Sequence, residues 1–571
     1  MSVVYKNQSY ENRVIRGFHP DPSISSVRED YYLVTSSFEY VPGIPVFHSR
    51  DLVNWTQIGA CITRPEQIVA LKLDQAVPSG GIWAPTIRWR DGVFYVTAPA
   101  DQVGNFIVQT KDPAGEWSNP VFVPMGGIDP SILFEDGHAY YCTNYRAEKT
   151  AGTAVHPGEM ISMAEIDPDS GELLSEIRPL WNGTGGGFLE APHLYHVGDW
   201  YYLLTAEGGT GLNHMETAAR SRNLWGPYES CEENPILTNR NDTTKTAACC
   251  GHGDLVEDGN GNWWMVHIGT RPANNWLSHT GRETWLMPVT WEHGWPKVGL
   301  SSKEPGRSHR KETGPLWREQ RLQACWYADL SDCIGAAGKR NPILPDSCWM
   351  FIRNPKAGCY AAENGNLYLK PSKTRIEDAE ESPTAAFICQ PDVECRFFAE
   401  ISPESIEVGV EAGVTAYLSN RFFYRMSLVR EADGLYLQVQ KQADDFRECV
   451  YRKEWKAARR ELIENGGEDR EQELQKIHLE IRALRYEYQF LADETLCARA
   501  ATRFLSCEVA GKCFTGTMLG VYAQQTALLP DGAGMKGRDC QICGENQPEH
   551  GQNRMTERQA VQMTGIGWSR E

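Results

Sequence analysis

Five stretches of this chain read as copies of one another: DPSISSVREDYYLVTSS (Asp21–Ser37), WAPTIRWRDGVFYVTAP (Trp83–Pro99), DPSILFEDGHAYYCTN (Asp129–Asn144), EAPHLYHVGDWYYLLTAEG (Glu190–Gly208) and DLVEDGNGNWWMVHIG (Asp254–Gly269). Each opens on an acidic or aromatic residue, runs through a short apolar strand, turns, and returns through paired aromatics. The turn dipeptides Asp91-Gly92, Asp136-Gly137, Gly198-Asp199, Asp258-Gly259 and Gly261-Asn262 carry hairpin chemistry, because Gly and Asp tolerate the positive φ that tight hairpins need. Successive copies start roughly 45–65 residues apart, the spacing of four-stranded propeller blades. Second halves follow in several copies: FHSRDLVNW (Phe47–Trp55), IVQTKDPAGEW (Ile107–Trp117) and TAARSRNLWGPY (Thr217–Tyr228). The repeat predicts an all-β chain opening with a five-bladed β-propeller over residues 1–300, rather than a sandwich of uneven strands.

The bulk composition narrows the function. At 571 residues the chain is too long for one core, and 41% hydrophobic residues are enough to fill more than one. A formal net charge of −19 argues against nucleic acid or an anionic membrane as partner and suits a neutral substrate. No apolar run of about 18 residues reads as a membrane span. Met1 to Glu11 is polar and lacks the features of a secretory leader, so a cytoplasmic address is expected. Seventeen scattered cysteines form no disulfide framework and are expected to be reduced thiols. Cys540 and Cys543 lack the second pair that a zinc site would need, and Cys249-Cys250 reads as a small apolar pair near the propeller core.

Equivalent positions in a propeller lie on a ring near the mouth of its central channel. Three of the five copy starts carry Asp21, Asp129 and Glu190, so the repeat itself gathers carboxylates distant in sequence. Hydrolysing a glycosidic bond needs one group to protonate the leaving oxygen and another to activate water. A third carboxylate can raise the acid's pKa by like-charge repulsion and orient it.

The motifs RGFHPDPSI (Arg16–Ile24), SSFEYVPGIPVFHSRDLVNW (Ser36–Trp55), SGGIWAPTIR (Ser79–Arg88), GGIDPSILFEDG (Gly126–Gly137), EAPHLY (Glu190–Tyr195), GHGDLVED (Gly251–Asp258) and GRETWL (Gly281–Leu286) resemble glycoside hydrolase family 43, most closely its two-domain β-xylosidases. The resemblance implies that Asp21 is the general base, Asp129 the carboxylate that tunes and holds the acid, and Glu190 the general acid, working with inversion of configuration. It implies that Arg282 bonds substrate hydroxyls and keeps Asp21 ionised, and that Phe38 and Trp83 wall the sugar pocket. His252 corresponds to a histidine on the propeller axis, beside a calcium or a water cluster in some relatives; no cofactor is required, and calcium is possible. The implied activity is exo-acting release of xylose from the non-reducing end of β-1,4-xylo-oligosaccharides. The alternatives are an α-L-arabinofuranosidase, an enzyme with both activities, or, from another class, a non-catalytic sugar-binding propeller. A short oligosaccharide is the expected partner, and a dimer or tetramer is possible.

Beyond Pro296 the repeat stops. Residues 301–316 read as a polar linker. From 317 to 525, short alternating strands such as CRFFAEIS (Cys395–Ser402) and RFFYRMSLV (Arg421–Val429) predict an antiparallel, lectin-like β-sandwich. The resemblance implies that this domain closes one side of the pocket with Phe514, in CFTGTMLGVYA. A charged run over 453–476 reads as an exposed helical insertion or loop. The tail, 526–571, is polar and Gly- and Gln-rich, lacks an evident closing strand, and is expected to be poorly ordered.

Overall fold

The computed structural model describes residues 10, 12–145, 160–242, 244–299, 325–327, 349–356, 358–363, 366–456, 476–511, 513–526 and 560–570. Each copy seen in the sequence folds into the first two strands of an antiparallel sheet, and its following segment supplies the rest. The first sheet runs Ser23–Val27, Asp30–Val34, Gly43–Ser49, Thr56–Ile62, and the second Thr86–Arg90, Val93–Ala100, Gly104–Thr110, Val121–Phe122. The third runs Ser131–Glu135, His138–Thr143, Ile161–Ile166, Arg178–Trp181. The fourth runs Glu190–Val197, Trp200–Glu207, Met215–Ser221, Glu229–Ser230, with Leu237–Thr238 pairing its third strand. The fifth runs Ala248–Glu257, Trp263–Thr270, Arg282–Glu292, Trp295–Val298. The first strand of each sheet touches the first strands of both neighbours, and the fifth touches the first, so the five inner strands close a circuit.

The turn chemistry behaves as read in the second and third sheets, where Asp91-Gly92 and Asp136-Gly137 all have positive φ, the signature of the type I′ turn. The fifth copy differs. Its two candidate dipeptides belong to one longer turn, closed by Asp258 N–H donating to Asn262 O at 2.8 Å while the Asp258 carboxylate accepts from the N–H groups of Asn260 and Asn262.

An N-terminal segment fastens the ring. Val14 and Ile15 N–H donate to Thr284 O at 3.0 and 3.3 Å, and His19 N–H to Arg282 O at 3.1 Å, so the strand Arg282–Glu292 holds the chain just before the first sheet begins.

The second half forms two packed antiparallel sheets. One runs Ala385–Cys389, Met518–Gln525, Val410–Ser419, Phe422–Glu431, Gly434–Ala443, Phe446–Glu454. The other runs Tyr360–Glu363, Asn366–Leu369, Val561–Arg570, Cys395–Ile401, Ile477–Ala483, Glu487–Ala492, Thr495–Ala501, and Cys325–Tyr327 also pairs with Val561–Arg570. Alternate residues point inward, as in Phe397, Ala399 and Ile401 facing Val414, Ala416 and Met426 across one buried core.

This corrects the expectation for the tail. Val561–Arg570 is an interior strand, bonded to Asn366–Leu369 on one side and Cys395–Ile401 on the other. Its alternation is hidden because Gly565, at φ +53, sits in a bulge opposite Phe398 and Glu400. Val561 and Met563 face the core before the bulge and Ile566 after it, one position out of phase. The charged run also starts differently: Lys453 and Glu454 end the exposed edge strand Phe446–Glu454 rather than open a helix or loop. The remainder of that run (457–475), the 301–316 linker, residues 527–559 of the tail and the Cys540–Cys543 pair lie outside the described residues.

The two halves share a core in which Phe18, Phe38 and Tyr40 pack with Phe387, Tyr417 and Tyr522. At one junction the backbones nearly touch: a Cβ on Gly281 would lie 2.7 Å from Gly516 Cα. Thr517 N–H donates to His279 O across the same seam at 3.0 Å.

Met563 is fully buried in the bulged strand, so Met563→Asp is expected to destabilise the sandwich by about 3 kcal/mol or more, the scale for burying an unpaired charge. Denaturant unfolding checks this; an unchanged midpoint would place the tail outside the core.

Candidate active site

The side chains at the cavity mouth are aimed by strained backbone. Asp21 and Asp129 each stand two residues before an inner strand with φ of +54 and +52, a left-handed conformation that Asp tolerates better than most residues. In the fourth copy the twist falls on Ala191, at φ +51, which interrupts pairing between Glu190 and His193. Such conformations cost on the order of 1–3 kcal/mol each and persist where surrounding structure imposes them.

Asp21, Asp129, Glu190, Phe38, Trp83, Arg282, His252 and Phe514 all line a single cavity of about 620 Å³. Asp21 is gripped on both oxygens. Arg282 Nη1 donates to Oδ1 at 2.7 Å and Nη2 to Oδ2 at 3.2 Å, Ser36 Oγ donates to Oδ2 at 2.6 Å, and His252 Nδ1 stands 3.5 Å from Oδ1. Burial alone would push this carboxyl up, but Arg282, His252 and Ser36 outweigh it and hold it below the usual carboxylate range. Both partners are buried, so this is not a solvent-screened surface ion pair.

The other two carboxyls behave oppositely. Burial, reinforced by the Asp21 charge, pushes Glu190 up to about 7, against a smaller pull from Arg282. Burial followed by repulsion from Glu190 and Asp21 raises Asp129 well above its ordinary value, although Ala191 N–H donates to it. Asp21 already neutralises the Arg282 guanidinium, so Asp129 and Glu190 retain at least one proton between them near neutral pH. Glu190 and Asp21 thus both raise Asp129, while the repulsion that raises Glu190 comes from Asp21.

Arg282 also donates to Thr210 Oγ1 and to Phe514 O, each at 3.2 Å, and its guanidinium lies 5.6 Å from the Phe38 ring and 5.9 Å from the Phe514 ring. Those rings stack at 6.2 Å and 20°. Phe514 belongs to the sandwich and is anchored by its N–H donating to Ser79 Oγ at 3.1 Å. Trp83 Nε1 donates to Ser79 O at 3.3 Å, which fixes the third aromatic wall.

Beneath the cavity floor lies a cluster that sequence reading missed. Arg88 forks onto Asp254 at 2.9 and 3.0 Å, and Asp254 also accepts from Ser23 Oγ (2.6 Å), Ile24 N–H (3.0 Å) and Tyr195 OH (2.5 Å). His193 Nδ1 meets Arg88 at 3.1 Å. Four of the five inner strands thus converge on one buried ion pair. Arg88 and Asp254 both fall in recurring motifs, but nothing in their spacing pairs them.

Calcium takes 6–8 oxygen ligands, waters among them, and the side chains around His252 supply few of their own. Burial pushes His252 down to about 4, so it offers a neutral nitrogen, and the oxygens of Asp254 are already engaged by a guanidinium and three other donors. Among the described residues no group of three His, Cys, Asp or Glu is placed to hold a metal.

Other lining residues also escaped the sequence reading. Cys249 faces the cavity whereas Cys250 packs in the core, so that pair divides between two environments. Phe188, Leu212 and Trp276 reach the mouth from loops, and Cys507, Glu508 and Cys513 come from the sandwich. The lining thiols of Cys249, Cys507 and Cys513 form no disulfide.

Residues 10–296 match the family described as Glycosyl hydrolases family 43, and residues 345–530 match Beta xylosidase C-terminal Concanavalin A-like domain. The chain is 34% identical over 540 residues to a non-reducing end alpha-L-arabinofuranosidase, BoGH43B, of Bacteroides ovatus, covering 91% of this chain and 92% of that protein. It is 42% identical over 294 residues to a xylosidase/arabinosidase of Butyrivibrio fibrisolvens, covering 50% of this chain and 56% of that protein. Among solved structures, the GH43 BlXynB protein from Bacillus licheniformis superposes with a TM-score of 0.78 at 27% identity, covering 99% of this chain and 100% of that one.

Arg282→Lys keeps a charge but removes the fork, and is expected to lower kcat/KM toward cleavable glycosides about 100-fold or more, in line with the loss of a buried, bidentate pair. Steady-state kinetics on a chromogenic pentoside checks this; near-normal turnover would reduce the pair to a structural clip.

Proposed function

The chain belongs to glycosyl hydrolase family 43, and from that premise we propose that it is an exo-acting glycosidase that removes a terminal xylose from β-1,4-xylo-oligosaccharides by a single, inverting displacement. The observation that carries this reading is the division of three carboxyls in one cavity: one held ionised by Arg282, two pushed toward the protonated form. We read the circuit of five sheets as a five-bladed propeller, with the cavity at one end of its axis.

In this mechanism Asp21 is the general base. Arg282 and Ser36 keep it charged, so it takes a proton from water as that water attacks the anomeric carbon. Glu190 is the general acid; the glycosidic oxygen leaves with its proton. Asp129 accepts from Ala191 N–H, next to Glu190; in this reading it holds the acid in place and, when it is the ionised member of the pair, favours a proton on Glu190. Phe38, Trp83 and Phe514 pack against the apolar face of the terminal sugar, and Arg282 bonds its hydroxyls. With the sandwich entering from one side through Phe514, the site receives a chain end rather than a chain middle.

A second reading, α-L-arabinofuranosidase or an enzyme with both activities, is favoured by the Bacteroides ovatus relative, whose name carries that activity. The two sugars place similar hydroxyls about the bond to be cleaved. A non-catalytic sugar-binding propeller gains nothing from burying three carboxyls together, which makes it the weakest reading. Parallel assays on nitrophenyl β-xyloside and nitrophenyl α-arabinofuranoside rank the first two, and a strong preference for the latter would reverse our order.

Three outcomes test the mechanism. Glu190→Gln is expected to slow hydrolysis of unactivated xylosides about 100- to 10,000-fold while sparing substrates with acidic leaving groups more; equal loss on both would remove the acid role. Because the acid form of Glu190 persists up to about pH 7, kcat/KM should be full below that value and fall as pH rises through it, while the acid limb, set by depressed Asp21, lies below the usual carboxylate range. Proton NMR of the first product should show α-xylose from a β-xyloside; the β-anomer would mean retention.

A further inference from the structure

Two cysteines of the sandwich line the cavity and have no part in the chemistry above: Cys507 and Cys513. Both are half-buried, and their sulfurs stand 3.6 Å apart. The two are not equivalent. Cys507 Sγ also lies 2.6 Å from Thr515 O, so acceptors flank it and its proton stays on sulfur. Cys513 Sγ is where donors meet: the Cys507 thiol, Thr515 and Ser79. The hydrogen bond from Cys507, joined by those from Thr515 and Ser79, outweighs burial and brings the Cys513 thiol down to about 7. The same bond, together with burial, raises Cys507 well above the usual thiol range. Cys249 lines the same cavity but is pushed up to about 11 by burial. A thiolate is the nucleophile of sulfur chemistry, and a second thiol in contact with it can resolve what it forms.

The pair also sits where movement would be felt. Cys507 opens the short turn Cys507–Ala510, in which Ala510 N–H donates to Ser506 O and Gly511 N–H to Cys507 O, each at 3.0 Å. Cys513 lies outside any strand or helix, immediately before Phe514. A covalent bond between the sulfurs is much shorter than their present gap, so closing it draws Cys513 toward the better-held Cys507. Phe514 follows, and with it the bonds from its N–H to Ser79 Oγ and from Arg282 to its O. Arg282 is the group that grips Asp21, so a shift at Cys513 reaches the ionised carboxylate through one residue.

We infer that Cys507 and Cys513 are a modification site for hydroperoxides, closing to a reversible disulfide that displaces Phe514 and slows hydrolysis. The Cys513 thiolate attacks one oxygen of the peroxide; the O–O bond breaks, a sulfenic acid forms, and hydroxide leaves to be protonated to water. The Cys507 sulfur then attacks that sulfur, and the hydroxyl departs with the Cys507 proton as a second water. The two sulfurs lose two electrons and the peroxide gains them. The slowing, though not the bond, rests on the proposed hydrolase reading of this cavity.

The test uses the full chain, reduced and then exposed to hydrogen peroxide, with Cys507→Ser and Cys513→Ser each compared with its own reduced form. Trypsin cleaves after Lys512, between the two cysteines, so mass spectrometry reads the bond as two joined peptides. In the unmodified chain the joined peptides should form and kcat/KM should fall about tenfold or more, the scale for misplaced positioning groups, with dithiothreitol reversing both. In Cys507→Ser the Cys513 sulfur has no resolving partner and goes on to the sulfinic acid in excess peroxide, so reductant should no longer restore activity. In Cys513→Ser, peroxide should do little. Absence of the joined peptides, or an equal loss of activity in Cys513→Ser, would overturn the inference; joined peptides with unchanged kcat/KM would overturn its effect on hydrolysis. A reduced chain that cleaves neither β-xyloside nor α-arabinofuranoside would remove the hydrolase reading, while the joined peptides would still uphold the modification site.

Discussion

The fork of Arg282 on Asp21 is the bond on which the molecule turns. Asp21 precedes the first sheet and Arg282 opens the third strand of the last, so the ion pair spans the place where the circuit closes. The same backbone stretch that seals the ring, with His19 donating to Arg282 O, delivers Asp21 to its partner. Burying two charges is unfavourable unless their geometry is close to ideal. Here the two-point fork, the Ser36 hydroxyl and the enclosing Phe38 and Phe514 rings supply that geometry, so completing the fold and setting the charge of one carboxylate are a single event.

The ring is five-fold in architecture but not in chemistry. Asp21, Asp129 and Glu190 occupy three sectors of the mouth, while the second sector offers Trp83 and the fifth turns its Asp254 below the floor to meet Arg88. The Arg88–Asp254 pair ties four inner strands together and supplies a positive charge of the protein's own beneath a strongly acidic pocket. The neutral His252 lies between the two ion pairs, 3.5 Å from Asp21 and with its ring 6.5 Å from that of His193.

What the sequence made legible follows from where information is repeated. Asp21, Asp129 and Glu190 could be placed together because they recur at the same point of a repeat. Phe38, Trp83, Arg282 and Phe514 were reached only through family motifs, because a wall aromatic and a core aromatic look alike in one sequence. Phe188 and Trp276 carried no signal: each is a lone apolar residue in a loop, and its meaning depends on which cavity the loop overhangs. The closing strand at Val561–Arg570 was misread because a single bulged glycine breaks the period of two by which strands are recognised.

That strand has a consequence for how the molecule is assembled. Asn366–Leu369 and Cys395–Ile401 do not pair with each other; each waits for Val561–Arg570, which follows every other described strand in the chain. Until it arrives, the growing sandwich carries two unsatisfied sheet edges flanking an open apolar slot, the kind of surface that recruits foreign strands. Pairing over such a long sequence separation is slow to form, because loop-closure entropy must be met before the contact rewards it. The wall that Phe514 contributes to the pocket is thus built on a domain whose last step is its most hazardous.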